Sequence, residues 1–543
     1  MKKIPLLFIL LFSLNCFAQL SKTHYIPPLT SSSNTIVTPQ DQYIYLSTPS
    51  LQDVKFKVLY IGGTTISGIV NKTTPYRLVI GTGENTQLFE PSVSTGKILN
   101  KGFVIESEGL IYVNVRTNAG VNNLGNFPQA GGLVAKGISG LGKRFRAGAM
   151  RNSSNIVGLL NFFSILATEN NTEVKISNIP NGTLLANNTT YNASDPPINL
   201  NKNESYILAI NSNTGSNLIG ALIESNKNIV VNSGSFGGTN DPTNTFQGDI
   251  NPPGRDLGFD QIVGADKIGS DYIFIKGKGT DVLERVLLIA DSDNTEIFVN
   301  GSTSAIATIQ AGDKYVLDGS QYINNNLYIK TSKNVFAYQS TGEKLSNANQ
   351  NMFFVPPLNC STPKIVDNIP QINLIGSRNY VGVVNIVTET GATVLINNIQ
   401  TTAPPIPING KPDFVYYSVS ELTGNIAIKS TKQVYVSYYG TNDFATYGSY
   451  YSGFDIKPEL SIANSILASG NCIPNITLKT EPDVDYTYQW LNNGIDIVGE
   501  TGNTFTPIIP GNYQVKRSIP SCNTFNLSDI IPVSNCPTDS DGD

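Results

Sequence analysis

Few side chains in this sequence are suited to acid–base chemistry. The chain contains a single histidine, His24, within the segment HYIPP. A Ser-His-Asp triad would have to be built on that residue, and no G-x-S-x-G nucleophile motif accompanies it. No group of His and Cys residues has the spacing of metal ligands. The sequence therefore predicts that the protein is not an enzyme.

Carboxylates provide the one other route to catalysis. Asp256, Asp260, Asp266 and Asp271 lie within one short, glycine-containing stretch. Paired carboxylates can hydrolyse glycosidic bonds. They can also accept hydrogen bonds in turns and between sheets, and this structural role is the preferred interpretation. A glycoside hydrolase remains a distant alternative.

A basic cluster and the acidic end of the chain are possible ion-binding segments. Lys143, Arg144 and Arg146 form an anion-binding patch or, as we expect, pair with acidic neighbours. In residues 536–543, Asp539, Asp541 and Asp543 alternate around a glycine, which resembles the start of a thrombospondin type 3-like repeat. Hard carboxylate oxygens at this spacing suit Ca²⁺. An acidic, disordered tail is the alternative, and no cofactor other than Ca²⁺ is expected.

The elements that must position these residues come from an internal repeat. One phrase reads LATENNTEVKIS from Leu166, IADSDNTEIFVN from Ile289 and IVTETGATVLIN from Ile386. A second phrase follows each copy: SNKNIVVNSG, TSKNVFAYQS and STKQVYVSYY. Weaker copies precede them, so a unit of roughly 100 to 120 residues occurs about four times. Repetition on this scale favours an extended surface over a single catalytic pocket.

The repeat units have the pattern of β-strands. Apolar and polar residues alternate, β-branched and aromatic types dominate, and Asn-Gly and Gly-Gly pairs separate the runs. In the third unit the pattern predicts strands at 286–290, 295–300, 304–309, 313–317, 326–331 and 334–340. We expect tight hairpins around Lys227, Lys333 and Lys432, with each lysine at a solvated turn.

Two all-β architectures fit residues 19–457. The units either supply blades that close into a β-propeller or form tandem β-sandwiches. The similarity of HYIPP to FFVPP at Phe353 favours the propeller, with residues 23–30 completing a blade begun after Ser430. The absence of Pro- or Ser-rich linkers between the units favours it as well.

Residues 458–535 have the pattern of an immunoglobulin-like or PKD-like β-sandwich. Cys472 precedes an alternating run that contains the sole tryptophan, Trp490, as expected for a core residue of a central strand. The phrase Gly-x-Tyr-x-Val follows at Tyr513. We expect a disulfide between Cys472 and Cys522, because both flank one compact sandwich, and we leave Cys360 and Cys536 unassigned.

The N-terminus and the composition indicate export. Lys2 and Lys3 precede an apolar run at 4–14 and a cleavage site before Gln19, so residues 1–18 are predicted to be a signal peptide. No later run has the ~20 apolar residues that a transmembrane helix needs. The net charge of −5 gives no basic footprint for nucleic acid. We expect a secreted or cell-surface protein.

Residues 23–455 resemble the IgGFc-binding-protein N-terminal domain family, in the form found in secreted proteins of Bacteroidetes. The phrases that carry the resemblance are THYIPP, GGLVAKGISGLGKRFRAGAM, GRDLGFDQIVGADKIGSDYIFIKG, ERVLLIADSDNTEIFVNG and STKQVYVSYYG. The resemblance implies a secreted or surface binding module, often followed by β-domains and a type nine secretion sorting domain. It identifies no ligand residue, and antibody binding is not carried over.

Together these features predict a non-enzymatic adhesin or binding protein. The ligand would be an extracellular glycan or protein, presented to a β surface built from repeats. A structural surface or matrix component is the alternative. Because the acidic phrase ends in mid-motif at Asp543, we expect anchoring through a C-terminal region beyond this chain.

Overall fold

The computed structural model divides the chain into two compact domains. The large domain spans residues 18–454, and the small domain contains residues 455–543. The structure describes residues 19–31, 38–120, 129–150, 160–211, 216–240, 256–342, 350–360, 362–442, 445–454, 458, 460–462, 472–480, 486–519 and 525–536. Within these residues, no helix is long and apolar enough to cross a membrane.

The large domain consists of four repeat units of β-strands. The first unit contains β1 (Ser21–Ile26), β2 (Leu29–Ser31), β3 (Pro39–Ser47), β4 (Val54–Tyr60), β5 (Thr65–Val70), β6 (Tyr76–Gly81), β7 (Phe89–Pro91), β8 (Lys97–Ile98), β9 (Phe103–Ala119) and β10 (Gln129–Val134). The second contains β11 (Gly142–Arg146), β12 (Leu160–Ala167), β13 (Thr172–Ser177), β14 (Ile198–Leu200), β15 (Ser205–Asn211), β16 (Leu222–Gly238) and β17 (Asp256–Ile262).

The third and fourth units follow the same order. The third contains β18 (Gly269–Ile275), β19 (Val286–Ala290), β20 (Thr295–Val299), β21 (Ala307–Ile309), β22 (Lys314–Leu317), β23 (Asn326–Gly342) and β24 (Gln350–Phe354). The fourth contains β25 (Ile365–Ile369), β26 (Leu374–Ile375), β27 (Arg378–Asn379), β28 (Val381–Glu389), β29 (Val394–Ile396), β30 (Ile399–Gln400), β31 (Ile406–Pro407), β32 (Phe414–Leu422), β33 (Ile426–Ser430), β34 (Val434–Asn442) and β35 (Ala445–Tyr450). Short 3-10 turns occur at Ser92–Ser94, Gly137–Gly140 and Gly319–Gln321. The expected all-β fold is confirmed.

One long strand in each unit is shared between two sheets. The first half of β9 pairs with β1 and β4, and its second half pairs with β3 and β10. In the same way, β16 pairs first with β11 and β13, then with β12 and β17. Strand β23 repeats this with β18 and β20, then β19 and β24. In the fourth unit β33 and β34 divide the two roles.

The prediction of hairpins around Lys227 and Lys333 is wrong, because one long strand runs through each lysine. Residues on both sides of each lysine belong to a single strand of 17 residues, β16 or β23. The two halves pair with different partners and not with each other. The exposed polar residues at the lysine mark the place where the strand leaves one sheet for the other. Around Lys432, β33 and β34 likewise pair with other strands. The four strands predicted between residues 286 and 317 lie close to β19, β20, β21 and β22.

The repeated phrases encode matching turns. Asn171 and Asn294 have φ values of 54° and 55°, and Gly391 occupies the matching position with φ 83°. Asn and Gly tolerate this left-handed conformation. In the second and third units the lysine of the second phrase contacts that turn: Lys227 Nζ donates to Asn170 O and Lys333 Nζ to Asp293 O, at 2.5 and 2.6 Å. In the fourth unit Lys432 Nζ pairs with Glu389 Oε2 at 3.5 Å.

The repeat units pack around a common centre through their last strands. Strand β10 contacts β17 and β35, and β24 contacts the same two strands, so the four strands form a cycle of contacts. All residues of β10, β17 and β35 are buried. We call this cycle the ring centre. One apolar cluster joins the first unit to the second, and another joins the second unit to the third and fourth.

The arrangement of the repeat units around the ring centre differs from the propeller that the sequence suggested. The described strands form no closed propeller, and the expected pairing of residues 23–30 with strands after Ser430 is wrong. Strand β1 pairs with β9 of its own unit, where His24 lies opposite Ile105, and β2 pairs with β7. Side-chain contacts between the first and fourth units, described below, bring the ends of the ring together.

The small domain is a β-sandwich. One sheet contains β36 (Leu460–Ile462), β38 (Leu478–Thr480) and β41 (Thr504–Phe505). The other contains β37 (Cys472–Ile473), β39 (Thr487–Asn492), β40 (Ile495–Asp496), β42 (Gly511–Ser518), β43 (Phe525–Leu527) and β44 (Ile531–Asn535). Both sheets contribute to one core around Trp490, whose ring stacks on Phe505 and whose Nε1 donates to Gly502 O.

The expected disulfide between Cys472 and Cys522 is wrong, because Cys472 is bonded to Cys536. Strands β37 and β44 pair in parallel, with Cys472 opposite Ser534, and this pairing brings the Cα atoms of the two cysteines to 4.7 Å. Cys360 is also disulfide-bonded. Cys522 and the proposed calcium ligands Asp539, Asp541 and Asp543 lie outside the described residues.

Candidate functional site

His24 is a core residue. Its side chain is fully buried, and its Nε2 lies 2.9 Å from Ile111 O and 3.2 Å from Ser21 O. Burial lowers the pKa of His24 to about 4, although the backbone contacts oppose the shift. The imidazole of His24 is therefore neutral near pH 7 and inaccessible to a substrate.

Asp256 and Asp260 hold the ring centre together. The Asp256 carboxylate accepts hydrogen bonds from Ala130 N at 2.6 Å and Thr446 N at 2.7 Å, and so joins β17 to β10 and β35. Asp260 accepts from Phe354 N at 3.1 Å and Ser449 Oγ at 2.8 Å, and so joins β17 to β24 and β35.

Both carboxylates are buried, and burial raises the pKa of each. Lys136 opposes this shift at Asp260, since its Nζ lies 3.3 Å from Asp260 Oδ2. Lys136 and Asp260 have side-chain exposures of 0% and 1%. These groups are therefore internal connectors of the four units.

The other two aspartates of this stretch point elsewhere. Asp266 is exposed and pairs with Lys267 at 3.0 Å. Asp271 accepts a hydrogen bond of 2.6 Å from the Tyr328 hydroxyl, which lies on the neighbouring strand β23. The four carboxylates therefore have different partners: Asp256 and Asp260 bond within the ring centre, Asp266 pairs with Lys267, and Asp271 bonds to Tyr328.

Two residues of the basic cluster, Arg144 and Arg146, connect the second unit to the third. Arg144 Nη1 lies 2.6 Å from Glu224 Oε1, and Arg144 Nε lies 3.1 Å from Asp291 Oδ1. Arg146 Nε also lies 3.1 Å from Asp291 Oδ1. The structure thus places Arg144 and Arg146 in an ion-pair network.

Arg116, which the sequence did not single out, joins the first unit to the fourth. Its side chain is fully buried, and its guanidinium donates to Pro370 O, Gln371 O and Leu374 O at 2.7–2.9 Å. The guanidinium lies 4.5 Å from the ring centroid of Tyr45 and also faces Tyr438 and Tyr447. Cation–π contacts and three carbonyl acceptors stabilise the buried charge. Only the density of tyrosines after Tyr435 hints at this cage in the sequence.

Glu284 is a buried carboxylate in the third unit. It accepts hydrogen bonds from the backbone N–H groups of Gly277, Gly279 and Gly342 at 2.7–2.9 Å. Burial raises the pKa of Glu284 to about 7, and the three N–H groups and Lys276 limit the shift. The Glu284 carboxylate therefore connects the loop that contains Gly277 and Gly279 to Gly342 at the end of β23.

A groove in the first unit is a concave surface among the described residues that carries candidate binding groups. It has a volume of about 580 Å³ and is lined by parts of β4, β5 and β9. Lys55 and Lys57 face Glu106 and Glu108 there, and Lys55 Nζ lies 3.9 Å from Glu108 Oε1. The groove is broad and its charges balance, so it offers little basis for specificity.

A further concave surface among the described residues lies between the second and third units, and we call it the interunit cleft. Its volume is about 270 Å³. Its floor is the outer face of the β22–β19–β23–β24 sheet, where Leu287 lies opposite both Val316 and Tyr338. One step along the sheet, Ser340 N bonds to Arg285 O and Ser340 lies opposite Met352.

The opposite wall of the interunit cleft comes from the second unit. Ala149, Ser216, Ile219 and Asn240 line it. The Tyr338 hydroxyl closes the back by donating to Arg146 O at 2.7 Å, and the Tyr338 ring packs where Gly148 has no side chain. Cβ at residue 148 would approach that ring to 2.4 Å. The close contact of the two units therefore depends on this glycine.

Polar groups in the interunit cleft are few and specific. Asn240 Nδ2 donates to Ser340 Oγ at 2.8 Å on the floor. The charged residues of the described lining are Arg285 and Lys314, and Lys314 Nζ donates to Ser216 O at 2.9 Å. Within the described residues, no group of three or more His, Cys, Asp or Glu side chains is placed to hold a metal ion. The described lining of the cleft therefore combines two basic side chains with an apolar floor.

Comparison with protein families matches residues 132–440 to the family described as IgGFc binding protein. This match covers more than half of the chain, from the ring-forming strand β10 to β34 of the fourth unit. No curated protein matches the sequence.

Three solved structures show only weak similarity to the chain. An anti-sigma factor domain-containing protein from Clostridium clariflavum has 9% identity and a TM-score of 0.11, over 75% of this chain and 100% of that one. Salmonella alpha-2-macroglobulin mutant Y1175G has 8% identity and a TM-score of 0.14, over 96% of this chain and 47% of that one. The human desmocollin-1 ectodomain has 8% identity and a TM-score of 0.12, over 95% and 99%. Overlap at this level carries no argument about fold or function.

Proposed function

Since this chain belongs to the IgGFc-binding protein family, a family of binding proteins, we propose that it is a secreted or cell-surface adhesin without enzymatic activity. Its ligand is an extracellular protein or glycan, and the ring of four repeat units is the scaffold that presents the binding surface. The signal-peptide pattern of residues 1–18 supports export.

One observation carries this proposal: the described lining of the interunit cleft contains cations, apolar groups, an amide and hydroxyls, but no imidazole or carboxylate. General acid–base catalysis usually needs such a group within reach of the substrate. The histidine and the two central aspartates are buried in structural contacts instead. These structural contacts support binding over catalysis as the function of this chain.

Binding is tested with the purified mature chain against immobilised ligands. The panel comprises mucin glycoproteins, a glycan array, extracellular-matrix proteins and IgG Fc, which the family description names. We expect saturable binding to one class, competed by the same ligand in solution. Uniformly negative results across the panel would contradict the adhesin function and favour a structural role on the surface or in a matrix.

A hydrolase assay tests the distant alternative. The chain is incubated with polysaccharides in the presence and absence of Ca²⁺, and reducing ends are measured. We expect no turnover. Turnover that Asp260→Asn abolishes, while Asp266→Asn retains it, would overturn the proposal in favour of a glycoside hydrolase.

A further inference from the structure

The ring centre contains a lysine–carboxyl pair that solvent does not reach. Lys136 follows β10 in the first unit, and Asp260 lies on β17 of the second. Their side chains are 0% and 1% exposed, and Lys136 Nζ lies 3.4 Å from Asp260 Oδ1 and 3.3 Å from Oδ2. In the Lys101–Glu90 pair of the first unit, by comparison, the side chains are 11% and 13% exposed. An amine and a carboxyl group are therefore held in contact inside the protein.

Burial favours the uncharged forms of both groups. It lowers the pKa of Lys136 and raises the pKa of Asp260, although each partner opposes the shift at the other. Transfer of one proton from the ammonium to the carboxylate leaves an amine and a carboxylic acid, and removes two charges from a buried site. A neutral lysine amine is a nucleophile, and a carboxylic acid accepts a nucleophile far more readily than a carboxylate does.

Backbone contacts hold the two groups in position. Lys136 N donates to Gln261 Oε1 at 2.5 Å, so the lysine backbone is attached to the residue next to Asp260. Gln261 N donates to Asp260 Oδ1 at 2.9 Å. A donor at this oxygen stabilises the negative charge that develops there when an amine adds to the carboxyl carbon. The Phe454 ring, 5.2 Å from Lys136 Nζ, covers the amine.

Ser449 connects the two reacting groups. Its Oγ lies 3.2 Å from Lys136 Nζ and donates to Asp260 Oδ2 at 2.8 Å. The hydroxyl can accept a proton from the amine while it donates its own proton to Oδ2, which is general acid–base transfer through one group. Asp260 Oδ2 is therefore the oxygen placed to leave as water, and Oδ1 is the oxygen that stays.

We propose that Lys136 and Asp260 form an intramolecular amide bond, with Ser449 as the proton relay, which links the first repeat unit covalently to the second. The Nζ–Cγ bond forms and the Cγ–Oδ2 bond breaks. Oδ2 leaves as water, with one proton from the carboxyl group and one from the amine, so the step needs no oxidant, cofactor or second substrate. The product is uncharged, and the buried site no longer holds an ion pair. This bond is independent of the ligand that the protein binds.

Intact-mass spectrometry of the unfolded, fully reduced mature chain tests the bond. We expect a mass lower than that of the sequence by one water molecule. Trypsin should not cleave after Lys136, so peptide 117–143 should be recovered joined to peptide 256–267. Lys101 and Glu90 should appear in unlinked peptides. The full sequence mass with free peptide 117–136, or a loss of water located at an Asp-Gly pair such as Asp318-Gly319, would overturn the proposal.

Variants test the residues assigned to the reaction. Lys136→Arg keeps the positive charge but removes the nucleophilic amine, so the chain should have its full mass, whereas the matched control Lys101→Arg should still lose water. Loss of water that persists in Lys136→Arg would contradict the proposed bond. Because this variant also changes a buried site, the mass and peptide map of the native chain stay decisive if it does not fold.

The relay is tested by the rate of bond formation. Chains made by cell-free synthesis are sampled over time, and the linked fraction is read from the intact mass. Ser449→Ala should slow the reaction by about 100-fold, since it removes the proton relay and leaves both reacting groups in place. Ser449→Thr, which keeps the hydroxyl, should restore most of the rate. Equal rates for the native chain and Ser449→Ala would overturn the relay.

Discussion

At the scale of single residues, the structure uses buried charge as a connector between repeat units. Arg116 reaches carbonyl oxygens of residues 370, 371 and 374 and lies among tyrosines of two units. A planar guanidinium can serve all three acceptors at once, which a lysine ammonium cannot do in the same geometry. The identity of this residue therefore matters as much as its charge.

Arg116→Lys should lower the free energy of unfolding of the large domain by about 3 kcal/mol, because carbonyl acceptors lose their partners in a buried site. Denaturant unfolding measures the change. Arg77→Lys is the matched control, since Arg77 also donates to the fourth unit, at Gly376 O, but from an exposed position. Equal losses in both variants would show that the cage has no special role.

Glu284 should make stability depend on pH in a defined direction. Its pKa is about 7 when folded and near 4.5 when unfolded, so between these values the folded state holds a proton that the unfolded chain has released. Stability should therefore rise as pH falls from 7 towards 4.5, by at most about 1.4 kcal/mol per pH unit. The effect is absent above and below this window.

The measurement compares the native chain with Glu284→Gln by denaturant unfolding at pH 5 and pH 8. Subtracting the variant removes the contributions of His24, Asp256 and other titrating groups. The native chain should gain more stability than the variant at pH 5. A difference that is constant across the window would mean that the pKa of Glu284 is not raised.

At the scale of elements, the recurring phrase specifies a left-handed turn between two strands. Gly391 has φ 83°, and a Cβ there would meet no atom within 4 Å, so backbone conformation is the sole cost of a side chain. Gly391→Asn restores the residue found in the second and third units and should be nearly neutral. Gly391→Ala should cost about 1 kcal/mol. Urea unfolding of the two variants checks this, and equal stability would refute the role assigned to Asn171 and Asn294.

The disulfide of the small domain belongs to the same scale. Closing the chain between Cys472 and Cys536, a separation of 64 residues, should stabilise the domain by about 4 kcal/mol on the chain-entropy model. Non-reducing peptide mapping should recover the two cysteines in one linked pair. Cys536→Ala should lower the melting temperature of the small domain, and recovery of Cys472 linked to Cys522 would restore the pairing expected from sequence.

Sequence patterns located most elements but not their connections. The strands at 286–317 follow from local alternation, which a single segment contains in full. A hairpin and a strand bent between two sheets have the same local pattern. The pattern therefore predicts two paired strands where β16 and β23 are each one continuous strand. The disulfide depends on the parallel pairing of β37 with β44, and the Arg116 cage depends on residues more than 250 positions away. Neither is visible within a short window of sequence.

At the scale of the whole large domain, the ring centre couples the four repeat units. Asp256→Asn should lower the free energy of unfolding by about 3 kcal/mol, because an amide NH₂ would face Ala130 N–H or Thr446 N–H. Asp266→Asn, on the surface, should change it by less than about 0.5 kcal/mol. Calorimetry should show a single unfolding transition of the large domain at a lower temperature for Asp256→Asn. A separate low-temperature transition of one unit would indicate that the units unfold independently.

The cycle of contacts among β10, β17, β24 and β35 also limits how this architecture evolves. In an open solenoid, gene duplication can add or remove a repeat, because each repeat contacts only its neighbours. Here the last strands of all four units contact one another and the first unit meets the fourth, so a fifth copy would have no place to insert and a missing copy would leave a gap. Descendants of such a gene should therefore keep four copies and diversify by changing individual copies.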